Sequence, residues 1–75
     1  MGKLARLPAR KVIQKLKKAG FVETHQRGSH LYLKNEDGEK IVTVPIHSSK
    51  EIPTGTLYNI VVKQAGLSIE EFNNL

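Results

Sequence analysis

The segment Gln26-Arg27-Gly28-Ser29-His30-Leu31-Tyr32-Leu33-Lys34 decides the fold, because it alternates polar and apolar side chains after a glycine. Successive side chains of a β-strand point to opposite faces. Leu31 and Leu33 would therefore share one face, and the other face would carry His30, Tyr32 and Lys34. If the leucines face a core, an imidazole, a phenol and an ammonium stand together on the opposite side. The segment predicts a half-buried strand with a face suited to acid–base chemistry on a phosphate-bearing partner.

A basic amphipathic helix is predicted before this strand. Pro8 suits the first helical turn, where its missing N–H costs nothing. Cations fill one side of the segment, and apolar residues recur on the other at helical spacing: Val12, Ile13, Leu16 and Ala19. Gly20 can take the left-handed conformation that ends a helix, which would pack Phe21 against Leu16 in a Schellman motif.

Three strands are predicted, over residues 21–27, 29–34 and 40–46. The first has poor alternation, so its inward face is not assigned. Gly28 marks a turn or bulge before the second strand. A hairpin loop over residues 35–38 uses Gly38 for a positive φ. Pro45 cannot donate to a ladder, which predicts that this part of the third strand lies at an edge or at its end.

The last third of the chain predicts a loop and two helices. The loop spans residues 47–52, and a helix over residues 53–65 buries one apolar face. That face consists of Leu57, Ile60, Val61 and Ala65. Ser68 and Glu71 then form a capping box for a short final helix, with Leu67 and Phe72 as its hydrophobic staple.

The order of elements, α-β-β-β-α with a short extra helix, predicts an α+β fold. Three antiparallel strands with both helices on one face bury a single core and leave the other face wet. His30 and Tyr32 would lie on the open face. We expect residues 1–75 to form one domain.

Composition favours a soluble cytoplasmic protein. The 75 residues include no cysteine, which suits a reducing compartment. No apolar run approaches the roughly 20 residues of a membrane-spanning helix. The basic N-terminus lacks the apolar middle of a signal peptide. We therefore expect no membrane partner; a basic helix could lie on a membrane, but its apolar face is needed for the core.

Positive charge is concentrated at the start of the chain. The first twenty residues hold seven lysines or arginines and no acid, whereas the rest hold five cations and seven acids. This asymmetry favours a polyanion or an acidic protein as partner near the first helix, where Lys11 lies. The alternative is a solvated helix face that keeps a small protein soluble.

Many catalytic signatures are missing, including glycine-rich phosphate loops and serine elbows. The spacing of His25, His30 and His47 matches no known set of metal ligands, so neither a metal nor another cofactor is predicted. RNA cleavage needs fewer catalytic groups from the protein, because the substrate's own 2′-hydroxyl is the nucleophile. His30 could transfer one proton, while Arg27 and Lys34 hold phosphate. Alternatively, His30 merely begins a strand on a solvated face.

Short motifs along nearly the whole chain resemble the HicA toxin family. They recur in order, and their joint spacing is specific. The motifs are Gly20-Phe21, Arg27-Gly28-Ser29-His30 with Tyr32, Thr43-Val44-Pro45-Ile46-His47, Gly55-Thr56-Leu57, Gln64-Ala65-Gly66-Leu67-Ser68 and Glu71-Phe72.

The resemblance implies a fold similar to that of double-stranded-RNA-binding domains. It also implies a toxin that cleaves mRNA without a metal and is inhibited by a HicB-type antitoxin, which covers the active face. His30 occupies the position of the catalytic histidine in the Gly-Ser-His motif. His47 matches a frequent family histidine and is assigned no catalytic role. The residues expected to bind RNA are Arg27, Ser29, Tyr32, Lys34 and Lys11.

One departure from duplex-binding domains concerns the second predicted helix. It begins with Pro53-Thr54-Gly55-Thr56 and carries only Lys63, so it lacks the lysine cluster that grips duplex phosphates. Single-stranded mRNA is therefore the expected substrate. Two other hypotheses remain: a non-catalytic RNA-binding module, and a protein-interaction domain that docks through the basic helix.

Overall fold

The computed structural model describes residues 3–46 and 50–75 of the chain. The elements in chain order are β1 (Leu7–Pro8), α1 (Ala9–Lys18), β2 (Val22–Arg27), β3 (His30–Lys34), β4 (Ile41–Pro45), β5 (Glu51–Ile52), α2 (Thr54–Tyr58), a π-helical segment (Asn59–Gln64) and α3 (Ile69–Asn73). β2, β3 and β4 form an antiparallel three-stranded sheet in that order. The predicted α+β architecture, with its short C-terminal helix, is confirmed.

The alternation along β3 places the core on one side of the sheet. Leu31 and Leu33 are buried, whereas His30 and Lys34 are exposed and Tyr32 is half-buried. β4 repeats the pattern with buried valines at 42 and 44. The helices pack against these apolar side chains, so the opposite face of the sheet is left open, as predicted.

The core joins side chains from every layer of the fold. Its fully buried members come from α1, the sheet, the second helix and α3; the largest are Phe72, Leu16, Leu33, Leu57 and Ile60. Burying a side chain of this size contributes roughly 1.5–3 kcal/mol. Each layer therefore depends on the others, as expected for a domain this small.

The ends of α1 show one confirmed prediction and one wrong one. Gly20 has a φ of +100°, and the N–H of Phe21 donates to the carbonyl of Leu16 at 3.0 Å. This is the predicted Schellman motif. Pro8, however, precedes the helix as its N-cap, with an extended ψ of 152°, rather than lying in the first turn.

The position of Pro8 follows from a ladder that the sequence analysis missed. β1 pairs antiparallel with β5, with Pro8 opposite Glu51 and Leu7 opposite Ile52. Residues 51–52 were predicted as loop, and they form this strand because Ile52 is buried in the core. The remaining predicted loop includes residues 47–49, which lie outside the described part of the chain, as does the prediction made for His47.

The second predicted helix changes its winding halfway along. After α2, the backbone widens into the π-helical segment, and the N–H of Ala65 donates to the carbonyl of Ile60, five residues earlier, at 2.9 Å. Within this segment the Gln64 side chain accepts the backbone N–H of Thr43 at 2.8 Å. This bond satisfies a backbone N–H on the outer edge of β4. In residues 3–46 and 50–75, no helix is long and apolar enough to cross a bilayer.

β2 extends beyond the helical layer. All six of its residues are exposed, because the helices cover β3 and β4 but not this edge strand. A register shift between Glu23 and His25 leaves Thr24 as an extra residue, a β-bulge in the pairing with β3. The poor alternation noted for this strand therefore has two causes, the bulge and the lack of a buried face.

Side-chain hydrogen bonds stabilise the final helix, α3, at both of its ends. At its start, the Glu71 N–H donates to the Ser68 hydroxyl at 3.0 Å, and the Ser68 N–H donates to the Glu71 carboxylate at 2.9 Å. The predicted capping box is confirmed. The hydrogen bond that the Ser68 backbone N–H donates to the Glu71 carboxyl, together with the Ser68 side chain, holds the pKa of that carboxyl below its usual range, with a smaller effect of the Lys40 charge.

At the C-terminal end of α3, a lysine of α1 binds the free backbone carbonyls. The Lys15 ammonium donates to the carbonyls of Phe72 and Leu75 at 3.2 and 3.3 Å, and lies 5.1 Å from the centroid of the Phe72 ring. A cation at this position satisfies carbonyls that end the helix and opposes the negative end of its dipole. Lys17 forms an ion pair with Glu23. Two cations of the basic helix therefore have partners within the protein.

Replacing Lys15 by methionine should lower the free energy of unfolding by about 1–2 kcal/mol, because the stem still packs while the charged hydrogen bonds are lost. Urea unfolding of Lys15→Met measures this loss. Lys11→Met is the matched control on the exposed side of the same helix, where we expect a change within about 0.5 kcal/mol. Equal losses in both variants would contradict the role of Lys15 as a cap.

Replacing Glu71 by glutamine should lower stability at neutral pH and leave it unchanged in acid. A carboxyl whose pKa is lowered on folding stabilises the native state above its unfolded pKa, and this contribution disappears as the pH falls through the folded pKa. Urea midpoints of the native protein and Glu71→Gln should thus converge on acidification. Glu70→Gln, in the same first turn without the capping bonds, should show a smaller difference at neutral pH. A pH-independent gap for Glu71→Gln would contradict the assignment.

Candidate active site

The face of the sheet away from the core, called the open face below, is built from all three of its strands. Strand register assigns to it Val22, His25, Arg27, His30, Tyr32, Lys34, Ile41, Thr43 and Pro45. These nine residues include two permanent cations and no carboxylate. The open face is therefore electropositive even though the three-stranded sheet lies in the acidic part of the sequence.

His30 stands at one end of the open face with a cation beside it. It is exposed and pairs directly with Arg27 on β2 and with Pro45 on β4. Side chains of directly opposed residues are about 4.5–5.5 Å apart at Cβ. The imidazole and the guanidinium are thus neighbours that can reach the same phosphate group, with only the short proline ring on the other side.

The turn before His30 is held by backbone hydrogen bonds. Gly28 has a φ of +58° in the two-residue connection between β2 and β3, a conformation that a side chain would strain. The carbonyl of Ser29 accepts the N–H of Ile46 at 2.6 Å, and the carbonyl of Gly28 accepts the Gln26 side chain at 3.0 Å. These bonds determine where β3 begins and hence where the imidazole stands.

The centre of the open face carries a stacked aromatic pair. The rings of His25 and Tyr32 lie 4.5 Å apart with an angle of 4° between their planes. The Thr24 hydroxyl donates to the Tyr32 carbonyl at 3.1 Å and lies 3.0 Å from Nδ1 of His25. From the sequence, His25 was considered only as a metal ligand. Its alternation signal was lost because the bulge interrupts the strand beside it.

The structure brings together most of the residues predicted from the sequence. Arg27, His30, Tyr32 and Lys34 share the open face, and Ser29 is exposed in the adjoining turn. Lys11 is exposed on α1, in the helical layer on the other side of the sheet, so it does not join the group around His30.

Two shallow depressions in the described part of the molecule do not include His30 in their lining. The first lies against Lys17 and Phe21, and the second against Leu4 and Tyr58. Within residues 3–46 and 50–75, no three histidine, cysteine or acidic side chains come close enough to hold a metal ion. The imidazoles on the open face offer proton transfer, and its two permanent cations offer phosphate binding.

Comparison with known proteins assigns the chain to a family. No curated protein matches it. A family model described as "HicA toxin of bacterial toxin-antitoxin" matches residues 9–67, which cover α1, the whole three-stranded sheet and the second helix. The chain therefore belongs to the HicA family of toxins from bacterial toxin–antitoxin systems.

Proposed function

We propose that this protein is a ribonuclease toxin that cleaves mRNA without a metal ion and uses His30 for proton transfer. One observation carries the proposal: an exposed imidazole lies directly across from Arg27 on a face without carboxylates. Such a face attracts a phosphodiester, and imidazole changes its protonation state in the pH range of cells. Membership of a toxin family supports the proposal.

The chemistry needs few protein groups. The 2′-oxygen of a ribose attacks the adjacent phosphorus, the bond to the 5′-oxygen breaks, and a 2′,3′-cyclic phosphate and a 5′-hydroxyl result. One proton leaves the 2′-hydroxyl and another reaches the leaving oxygen. The His30 imidazole can perform one of these proton transfers. The Arg27 guanidinium can stabilise the charge that builds on the phosphoryl oxygens.

The rest of the open face supports binding of single-stranded RNA. Successive side chains on the open face of β3 are about 7 Å apart, because they are separated by two strand residues. They are His30, Tyr32 and Lys34. The stacked ring of Tyr32 offers an aromatic surface to an unpaired base, and Lys34 offers a charge to a phosphate farther along. The Ser29 hydroxyl lies in the adjoining turn. Lys11 would contact only RNA that continues around the molecule to the helical layer.

An antitoxin of the HicB type is the proposed protein partner, and the open face is the surface it would cover. Val22 and Ile41 flank Lys34 on this face and are 54% and 60% exposed. Large apolar side chains with that exposure favour contact with another protein. An antitoxin placed there would inhibit by occupying the surface that RNA needs.

Replacing His30 by alanine should reduce RNA cleavage by about 10²–10⁴-fold, the usual contribution of one acid–base group. The measurement is the rate at which excess protein cuts a single-stranded oligoribonucleotide in the presence of a chelator. His30→Ala should still bind RNA carrying 2′-methoxy groups, which cannot be cut. Glu36→Gln, beyond the far end of the same strand, is the control and should cut at the native rate.

Equal cleavage by His30→Ala and the native protein would remove His30 from the mechanism. Loss of all cleavage on chelation would instead indicate a metal. If the native protein binds RNA and leaves it intact, the protein is a non-catalytic RNA-binding module. If it neither binds nor cuts RNA, the remaining hypothesis is a protein-interaction domain.

Replacing Arg27 by glutamine should reduce the salt dependence of RNA binding, whereas Lys11→Gln should do so only with RNA long enough to reach the helical layer. Each lost phosphate contact removes about 0.7 from the slope of log affinity against log salt for a single strand. Titrations of the uncleavable RNA at several salt concentrations give these slopes. Lys63→Gln, on the π-helical segment, is the control and should leave the slope unchanged. A slope unaltered in Arg27→Gln would contradict phosphate binding beside His30.

A further inference from the structure

The cleavage chemistry proposed above needs two proton transfers, and the open face holds a second imidazole suited to one of them. We propose that His25 is the general base that takes the proton of the 2′-hydroxyl, that His30 is the general acid, and that Thr24 sets the tautomer of His25. This inference rests on the proposed ribonuclease function and goes further by assigning the two proton transfers.

The hydrogen bonds of Thr24 determine the tautomer of His25. A threonine hydroxyl has a single proton to donate. Thr24 donates it to the carbonyl of Tyr32, so we assign the proton of the 3.0 Å contact between its oxygen and Nδ1 of His25 to Nδ1. In a neutral imidazole the other nitrogen is then an acceptor. Nε2 of His25 therefore presents a lone pair, the form that a general base needs.

The β-bulge makes this arrangement possible. Thr24 is the extra residue between Glu23 and His25 and has no partner on β3. Its hydroxyl is thus available to reach across to the backbone of β3 at Tyr32 while accepting from the ring of His25. Without the extra residue, Thr24 would pair in the ladder, and alternation would send its side chain to the other face.

Ring stacking fixes the plane of the imidazole. The His25 ring lies parallel to that of Tyr32, at 4.5 Å and 4°. The hydrogen bond at Nδ1 fixes rotation within that plane, so the ring is held by two independent contacts. A base held in this way loses little freedom when substrate binds, which favours catalysis.

His25 and His30 lie on a diagonal of the same ladder. His25 pairs with Tyr32, and His30 precedes Tyr32 by two residues on β3, whereas Arg27 pairs with His30. Diagonal neighbours on one face are about 7–8 Å apart. A phosphodiester between the two imidazoles could meet a base at the 2′-oxygen and an acid at the 5′-oxygen, with Arg27 beside the phosphoryl group.

The proton and bond changes balance in one step. Nε2 of His25 takes the proton of the 2′-hydroxyl as that oxygen bonds to phosphorus. The bond between phosphorus and the 5′-oxygen breaks, and protonated His30 gives its proton to the departing oxygen. His25 ends protonated and His30 neutral, and exchange with water restores both. No oxidant, reductant or metal takes part.

The main competing explanation is that His25 only supplies an aromatic surface. His25→Phe distinguishes a general base from a purely aromatic surface, because phenylalanine keeps a flat ring over Tyr32 but has no nitrogen. We expect His25→Phe to lower the single-turnover rate by about 10²–10⁴-fold while binding of the 2′-methoxy RNA stays within a few-fold of native. Glu23→Ala, on the other face of β2, is the control and should cut at the native rate. Native cleavage by His25→Phe would overturn the proposal.

A substrate with a sulfur atom in place of the 5′-oxygen tests which histidine is the general base and which is the general acid. A thiolate leaves without receiving a proton, so this substrate removes the need for a general acid. We expect it to restore most of the rate of His30→Ala and none of the rate lost in His25→Phe. The reverse pattern would overturn the assignment. Failure of the native protein to cut either substrate would instead reject the ribonuclease function itself.

The role of Thr24 has a spectroscopic test that does not depend on activity. Nitrogen chemical shifts of His25 in the neutral ring should show the proton on Nδ1 in the native protein. Thr24→Val, which removes the acceptor with little change of shape, should move that proton to Nε2 and slow cleavage less than His25→Phe does. A native ring protonated on Nε2 would contradict the tautomer and with it the assigned base.

Discussion

The pleat of β3 is the constraint on which the rest of the molecule depends. Leu31 and Leu33 must be buried to close the core, and alternation then forces His30, Tyr32 and Lys34 into solvent. A slip of one residue would exchange the two sets, burying an imidazole and a lysine without partners. The register is determined by the tight turn before β3 and by its hydrogen bonds to the end of β4. Stability and the chemistry of the open face therefore depend on the same few backbone contacts.

Those parts of the fold that depend on local residue patterns were predictable. The ends of α1 and α3 follow from Gly20 and Ser68, whose conformations and hydrogen bonds involve near neighbours in the chain. The hydrogen bond from Thr43 to Gln64 of the π-helical segment was not predictable, because it joins residues that lie far apart in sequence. The ladder of β1 with β5 was missed for the same reason: two-residue strands leave no periodic signal.

The candidate site was predictable where it lies on a regular strand and not where it lies on a bulge. Alternation and family resemblance both led to His30, whereas the bulge at Thr24 concealed the stacked ring of His25. Charge counting was less informative, since it cannot distinguish a cation that is free to meet a ligand from one already held by the protein. Lys15 is bonded to the carbonyls that end α3, and Lys17 is paired with Glu23.

The side chain that accepts the Thr43 N–H has a consequence for how molecules of this protein can associate. The Gln64 side chain occupies a backbone N–H on the outer edge of β4, whereas β2, the other margin of the three-stranded sheet, is exposed along its length. Association through sheet margins can become open-ended only when a subunit offers two of them. Because the β4 margin is obstructed at Thr43, two subunits would meet more readily through β2. Pairing through β2 therefore favours a closed pair of subunits over open-ended growth.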